Sequence, residues 1–346
     1  MVIHVLDENL NNAGMVENFR LLSWEEEFQG FGAFVMIVND TPQYAAMLRR
    51  GCFLYRKDRK TVMRVVRIER GGQNHTINVY GYSALNLLNF RAWKGEKTLD
   101  KVEADILDMV SQSVEGLPLA VAAAQGYDDT PPEETLIDPQ PLGDAVLRAV
   151  ENTGVGVRMP LDYQNRRFLF ETYKGRDLAY RDGEGGYVFS SDRKNLESLT
   201  VTEDDDLYKN VAVIVCGSGE DLRIFTYPEN ADDLTGINRR ELVVYGDTQN
   251  DRTEEQWKTD MLRIGQNALA EHNNVCTFTA VPKSGAFGER YDLGDRVTCK
   301  EDRYGVQFDA YITQYKNYIE NGAEQVVLTL GRPSLTFFKR ELIKNG

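Results

Sequence analysis

The stretch that most restricts the fold is Tyr291-Asp-Leu-Gly-Asp-Arg-Val-Thr298 with the sequence that follows it. Leu293-Gly294-Asp295 reads as a turn. Gly294 can take φ > 0, and Asp292 and Asp295 can bond nearby backbone N–H groups. A strand begins at Arg296. Val306 to Thr313 then alternates, with Val306, Phe308, Ala310 and Ile312 on one side and Gln307, Asp309, Tyr311 and Thr313 on the other. Asn321-Gly322 signals a hairpin, and Gln325 to Gly331 returns as a last strand. The chain thus closes with a β-meander of about 50 residues, a length set by two or three strands and their turns. Phe308, Ile312 and Leu328 are expected to share its buried face. A meander is a building unit rather than a catalyst.

Taken in order, the chain opens with short strands at Val2–Leu6, Phe19–Trp24, Phe31–Val38, Cys52–Tyr55, Val62–Ile68 and Thr76–Tyr80. Asn9 to Gly14 is a polar turn, and Thr41-Pro42 starts a short helix. Even spacing of short strands suggests a barrel or sandwich, closed by a helix at Tyr82–Phe90, over residues 1–96. Residues 97–196 are expected to be α+β. Thr98 caps a helix with the stripe Val102, Ile106, Met109 and Val110. Leu142, Val146 and Val150 mark a second helix that stops near Gly154. Val155–Met159 and Arg167–Tyr173 form an antiparallel pair. Residues 197–346 return to strands, at Leu199–Thr202, Asn210–Cys216, Asp221–Tyr227 and Glu241–Tyr245. Thr253-Glu-Glu-Gln256 is a capping box before a helix with Trp257, Met261, Ile264 and Ala268 on one side, ended by Glu271-His272-Asn273-Asn274. Val275–Val281 leads into the meander. The expected fold is β-rich α+β, with two related strand-rich modules flanking an α+β region. A length of 346 residues suits two or three domains.

No constellation for catalysis stands out. Gly81-Tyr-Ser-Ala-Leu85 begins like a nucleophile elbow but lacks its second glycine, so Ser83 reads as a cap or first-turn residue. His4, His75 and His272 have no marked partner, and His272 suits a helix C-terminus. The acidic runs Asp128-Asp129, Asp204-Asp-Asp206 and Asp232-Asp233 read as solvated loops, and Asp204 to Asp206 fits no EF-hand spacing. Gly217-Ser-Gly219 precedes a strand-like stretch, so it reads as a hairpin turn rather than a phosphate loop; Gly183 to Gly186 is likewise a loop. Cys52, Cys216, Cys276 and Cys299 are far apart in apolar surroundings and read as buried free thiols, as in a reducing cytosol. Catalytic, cofactor and metal residues are therefore expected to be none. A net charge of −14 argues against a nucleic-acid groove but suits a surface past which DNA slides. Met1–Leu6 is too short for a signal peptide, and no apolar run approaches a membrane span. Synthesis and folding are expected in a cytoplasm.

Several motifs stand in order along nearly the whole chain. They are Leu21-Leu-Ser-Trp24 with Gly30-Phe-Gly-Ala-Phe34, then Gly81-Tyr-Ser-Ala-Leu-Asn-Leu-Leu-Asn-Phe-Arg91. Tyr173-Lys-Gly-Arg-Asp177, Val188-Phe-Ser190 with Asn195-Leu196, and Asn210-Val-Ala-Val follow. Gly236 with Arg239-Arg-Glu241, Tyr291 to Thr298, and Leu330-Gly331 complete the series. In this order they resemble the tail-hub proteins of long-tailed bacteriophages and related prophages, which are similar to the baseplate hub of contractile-tailed phages. The resemblance implies two tail-tube-like β-barrels with an inserted α+β region, assembled as a homotrimer at the virion tail tip. The implied partners are the distal tail protein, tail tube, tape-measure protein and spike or fibre, with DNA passing through the channel. Arg176-Asp177, Asn195 and Asp292 to Asp295 are the polar positions that match, read as turn-formers before interface residues.

Three functions compete. One is a structural hub that lines the channel. Another is a tail-associated peptidase or glycosidase, which the absent nucleophile–histidine pair disfavours. The third is a receptor- or carbohydrate-binding module, which calls for an exposed aromatic cluster, whereas Trp24, Trp93 and Trp257 are dispersed.

Overall fold

The computed structural model describes residues 1–331 except 72–74, 132–134, 184, 218, 220–221, 247–252, 271, 273–274 and 284–286. Contacts group the chain into two compact units. One is Met1–Thr200 with Phe278–Gly331; the other is Val201–Thr277 with Arg332–Gly346, the latter stretch outside the described residues. These boundaries differ from the expected divisions at 96/97 and 196/197. The closing meander groups with the N-terminal strands rather than with residues 201–277.

The reason lies in strand pairing. The N-terminal strands are β1 (Ile3–Leu6), β2 (Asn12–Val16), β3 (Leu21–Glu27), β4 (Ala33–Asn39), β5 (Phe53–Tyr55), β6 (Val62–Gly71) and β7 (Thr76–Ser83). They lie in the order β3-β4-β7-β6-β5-β1-β2. Leu22 and Trp24 on β3 and Phe34, Met36 and Val38 on β4 point into one apolar core with Val65, Ile77 and Val79. On the other side of β3 lies the strand Val306–Glu320, antiparallel, with Tyr315 opposite Glu26 and Asn317 opposite Trp24. Both ends of the chain therefore share one sheet, joined at this seam. Among the described residues this strand order does not run into a closed barrel.

The meander follows the expected plan with one shift. Arg296–Glu301, Val306–Glu320 and Ala323–Gly331 pair in succession, and Asn321 and Gly322 turn with φ of 50° and 83°. An irregularity between Ile312 and Gln314 changes the parity of the long strand. Ala310 and Ile312 point inward before it, and Tyr315, Asn317 and Ile319 after it. Leu328 consequently faces Tyr315, and Leu330 faces Ile312. Phe308 is only half-buried and meets Phe278 edge-on at 6.3 Å.

Two local expectations change. Asn9 to Gly14 is not only a turn. Asp7 Oδ1 accepts the N–H groups of Asn9 and Asn11, and β2 starts directly afterwards at Asn12. Thr98 does not cap a helix; it lies in the short strand Lys97–Thr98. The helices are α1 (Pro42–Met47), α2 (Val102–Ser113), α3 (Leu142–Val150) and α4 (Glu254–Ala270). Asp105 Oδ2 accepts the N–H groups of Asp100 and Lys101, reaching back from the start of α2 to the backbone that precedes it, as the inner carboxylate of a capping box does. The α2 stripe Val102, Ile106, Met109 and Val110 is buried with Leu142, Val146 and Val150 of α3 and with Phe168 and Phe170.

In the second unit, Arg223–Tyr227, Val211–Cys216 and Glu241–Gly246 form a three-stranded sheet, the last two parallel. α4 packs on it through Trp257 and Met261 against Ala212, Ile214 and Cys216. The capping box forms as expected. Thr253 Oγ1 accepts the Gln256 N–H at 3.3 Å, and Gln256 Oε1 accepts the Thr253 N–H at 3.1 Å.

Candidate functional site

The first unit holds a buried ionic node beside a pocket. Alternation along β3 places Glu26 on the inward side, after Leu22 and Trp24. A carboxylate there requires donors. Arg59 supplies two, Nε to Oε1 at 2.9 Å and Nη2 to Oε2 at 3.0 Å. Trp24 Nε1 donates to Oε1 at 3.1 Å, and Thr61 Oγ1 to Oε2 at 2.8 Å. The Arg59 guanidinium also lies over Tyr315 at 4.6 Å and Phe287 at 4.8 Å, and pairs with Asp292 at 3.4 Å. Burial opposes its charge, but the Glu26 carboxylate, Asp292 and Tyr315 together outweigh burial and raise the Arg59 pKa. Nearby, Arg56 pairs with Asp58 and donates to Asn317 Oδ1 at 3.1 Å. The adjoining pocket of ≈ 230 Å³ is lined by Glu27, Lys60, Ser83, Arg158, Tyr173 and Asp292 among others.

A second junction brings together motifs far apart in sequence. Asp295 is buried. Its Oδ1 accepts the Arg176 N–H at 2.6 Å, its Oδ2 accepts Arg176 Nη2 at 2.6 Å, and Oδ2 also accepts the Asp292 N–H at 2.9 Å. Gly294 has φ of 89° and sits against the Phe28 ring. A Cβ on Gly175 would lie 2.0 Å from the Gly294 carbonyl oxygen, so glycine is required for the two turns to touch. Asp177 accepts the Ala179 N–H and pairs with Arg181 and Arg296. Asn195 Nδ2 donates to the Val188 carbonyl, and its Oδ1 accepts the Ser190 N–H. Arg176, Asp177, Asn195, Asp292 and Asp295 thus hold turns in place within the chain.

The other candidates are scattered. Ser83 ends β7 ahead of a 3₁₀ turn at Ala84–Phe90 and makes no cap bond. His4 stacks on Tyr55 at 4.8 Å, His75 is exposed in the β6–β7 turn, and His272 Nδ1 lies 2.9 Å from the Ala268 carbonyl. Cys52, Cys216 and Cys299 are buried and form no disulfide with one another; the Cys276 side chain lies outside the described residues. Parts of the Gly217–Gly219 and Gly183–Gly186 loops and of the stretch after α4 also lie outside them. Among the described residues, no group of three or more His, Cys, Asp or Glu is placed to hold a metal ion, and no helix is long and apolar enough to cross a membrane. Glu26, with four donors, is engaged in structure rather than free as a base. No motif marks Glu26 or Arg59; the available signal is an acidic residue at an inward position of β3.

Residues 127–332, more than half of the chain, match the family described as Siphovirus ReqiPepy6 Gp37-like protein. No curated protein matches the chain. Three solved structures are similar over nearly their whole length. A tail protein from Neisseria meningitidis MC58 has TM-score 0.58 at 12% identity, covering 96% of each chain. The 43 kDa tail protein of prophage MuSo2 from Shewanella oneidensis has TM-score 0.56 at 13% identity, covering 96% of this chain and 99% of the other. Prophage tail protein gp18 from Listeria monocytogenes EGD-e has TM-score 0.53 at 13% identity, covering 99% of each. The fold is that of phage and prophage tail proteins.

Proposed function

The chain belongs to the Siphovirus ReqiPepy6 Gp37-like protein family, and on that premise we propose that it is a structural hub at the tip of a phage or prophage-derived tail. The observation that carries this reading is the likeness of fold across almost all of the chain to three tail proteins. In this reading three copies assemble, and each contributes two tube-like β modules. One is the β1–β7 side of the shared sheet and the other is the meander side, meeting at the seam between β3 and Val306–Glu320. Six modules then match a six-fold tube with three chains. The hub joins tail tube and distal tail protein to the spike or fibre, adjoins the tape-measure protein, and lines a channel for DNA. Its role is assembly rather than hydrolysis of host wall, and it acts at the virion tail tip after synthesis in the host cytoplasm.

Antibody labelling of intact tails tests the location. Label at the tip supports a hub. Label spaced along the shaft, or absent from purified tails, contradicts it.

A further inference from the structure

The second unit has a helix on one side of its sheet and an open face on the other. Register fixes which residues lie where. Ala212, Ile214 and Cys216 face α4 with Phe225, Tyr227 and Val244. The opposite face carries two rows, Ile224–Val215–Tyr245 and Thr226–Val213–Val243. Ile224 is 60%, Val243 55% and Tyr245 82% exposed. Six neighbouring positions thus present five apolar side chains and one threonine. Glu241, which ion-pairs with Arg239, stands at the corner. Neighbouring apolar side chains on one open face suit a small protein contact better than singly scattered ones do.

We propose that this face docks a different tail protein, one presenting an apolar surface rimmed by Lys and Arg; the inference rests on the tail reading above. Charge selects the partner. The second unit, residues 201–277 with 332–346, contains 7 + 4 = 11 basic and 16 + 1 = 17 acidic residues, so its net is 11 − 17 = −6 of the chain's −14. Two copies meeting face to face would set −6 against −6, which like-charge repulsion disfavours, whereas a basic rim is attracted. Size agrees. Three strands about 4.8 Å apart, each about five residues long at about 3.4 Å per residue, span roughly 14 Å by 17 Å. That is well below the roughly 800 Å² per partner of a stable free-standing pair. The face adds to an assembly held by further contacts and leaves the isolated chain unpaired there.

The test uses the full chain in purified tails, with a photo-crosslinking amino acid at Tyr245. An adduct with another tail protein is expected, together with at least a fivefold fall in hydroxyl-radical oxidation of Tyr245 on assembly. An adduct with a second copy of this chain, an adduct within the same chain, or no adduct in tails that contain the chain would overturn the proposal. Tails lacking the chain altogether would instead refute the tail reading. Charge is tested separately with Ile224→Lys and Ile224→Asp, both at an exposed position where folding tolerates either. Incorporation into tails should fall at least fivefold further for Ile224→Lys than for Ile224→Asp. Equal losses, or the reverse order, would refute a basic partner.

Discussion

Single buried charges set the sharpest expectations. Glu103, in the first turn of α2, is buried and accepts from four donors. Gln125 N–H and Thr172 Oγ1 reach Oε1 at 2.8 and 2.6 Å, and the N–H groups of Gly126 and Tyr127 reach Oε2 at 2.8 Å. Burial pushes its pKa up, the donors pull it further down, and the balance lies below the usual glutamate value. A depressed folded pKa means its contribution is present above the unfolded value of 4.5 and lost as pH falls through the folded value. Glu103→Gln should therefore cost about 1–3 kcal/mol in urea unfolding at neutral pH. The gap from wild type should narrow on acidification; a gap independent of pH would show that the carboxylate's charge is irrelevant. Arg59 tests the other node. Arg59→Met leaves Glu26 buried without its cation and should cost about 3–5 kcal/mol. Adding Glu26→Gln should restore part of that loss. Additive losses in the double variant would show that the pair is not coupled.

At the scale of elements, the meander and the turn junction make the predictions. Leu328 is fully buried, so Leu328→Ala should cost about 2–5 kcal/mol. Phe308→Ala should cost less than truncating Leu328, because Phe308 is half-buried; the reverse order in thermal unfolding would place the strand face wrongly. Gly175→Ala must push the Tyr173–Asp177 turn off the Gly294 carbonyl and should lower the melting temperature. An unchanged melting temperature would show that the contact is dispensable. Most of these elements were legible in sequence because short-range physics specifies them. Alternation along β3 and β4, the Asn321-Gly322 turn and the Thr253–Gln256 capping box each need only neighbouring residues. What was illegible depends on distant partners. Nothing local reveals that Val306–Glu320 pairs with β3, or that Glu26 meets Arg59. The parity change after Ile312 is likewise a tertiary accommodation, and the Asn- and Gly-rich composition of β2 hides a strand held by β1. Arg176 and Asp295 were legible as turn positions, whereas their bond to each other, across 119 residues, was not.

For the whole molecule, copy number and charge matter most. In the proposed hub, three chains of −14 would carry 3 × −14 = −42. A lumen of that sign would let DNA pass with few phosphate contacts, so passage should depend little on salt. In that proposed hub, three chains, each giving one N-terminal and one meander module, would match a six-fold tube, and a closed ring would leave no strand edge for stray pairing. The isolated chain is a poor witness, since closure can require its neighbours. The decisive measurement is the mass, or an electron-microscopy reconstruction, of the intact tail-tip complex. The proposed hub has three copies of this chain around a channel poor in Lys and Arg; six copies, or a channel lined mainly by Lys and Arg, would contradict it.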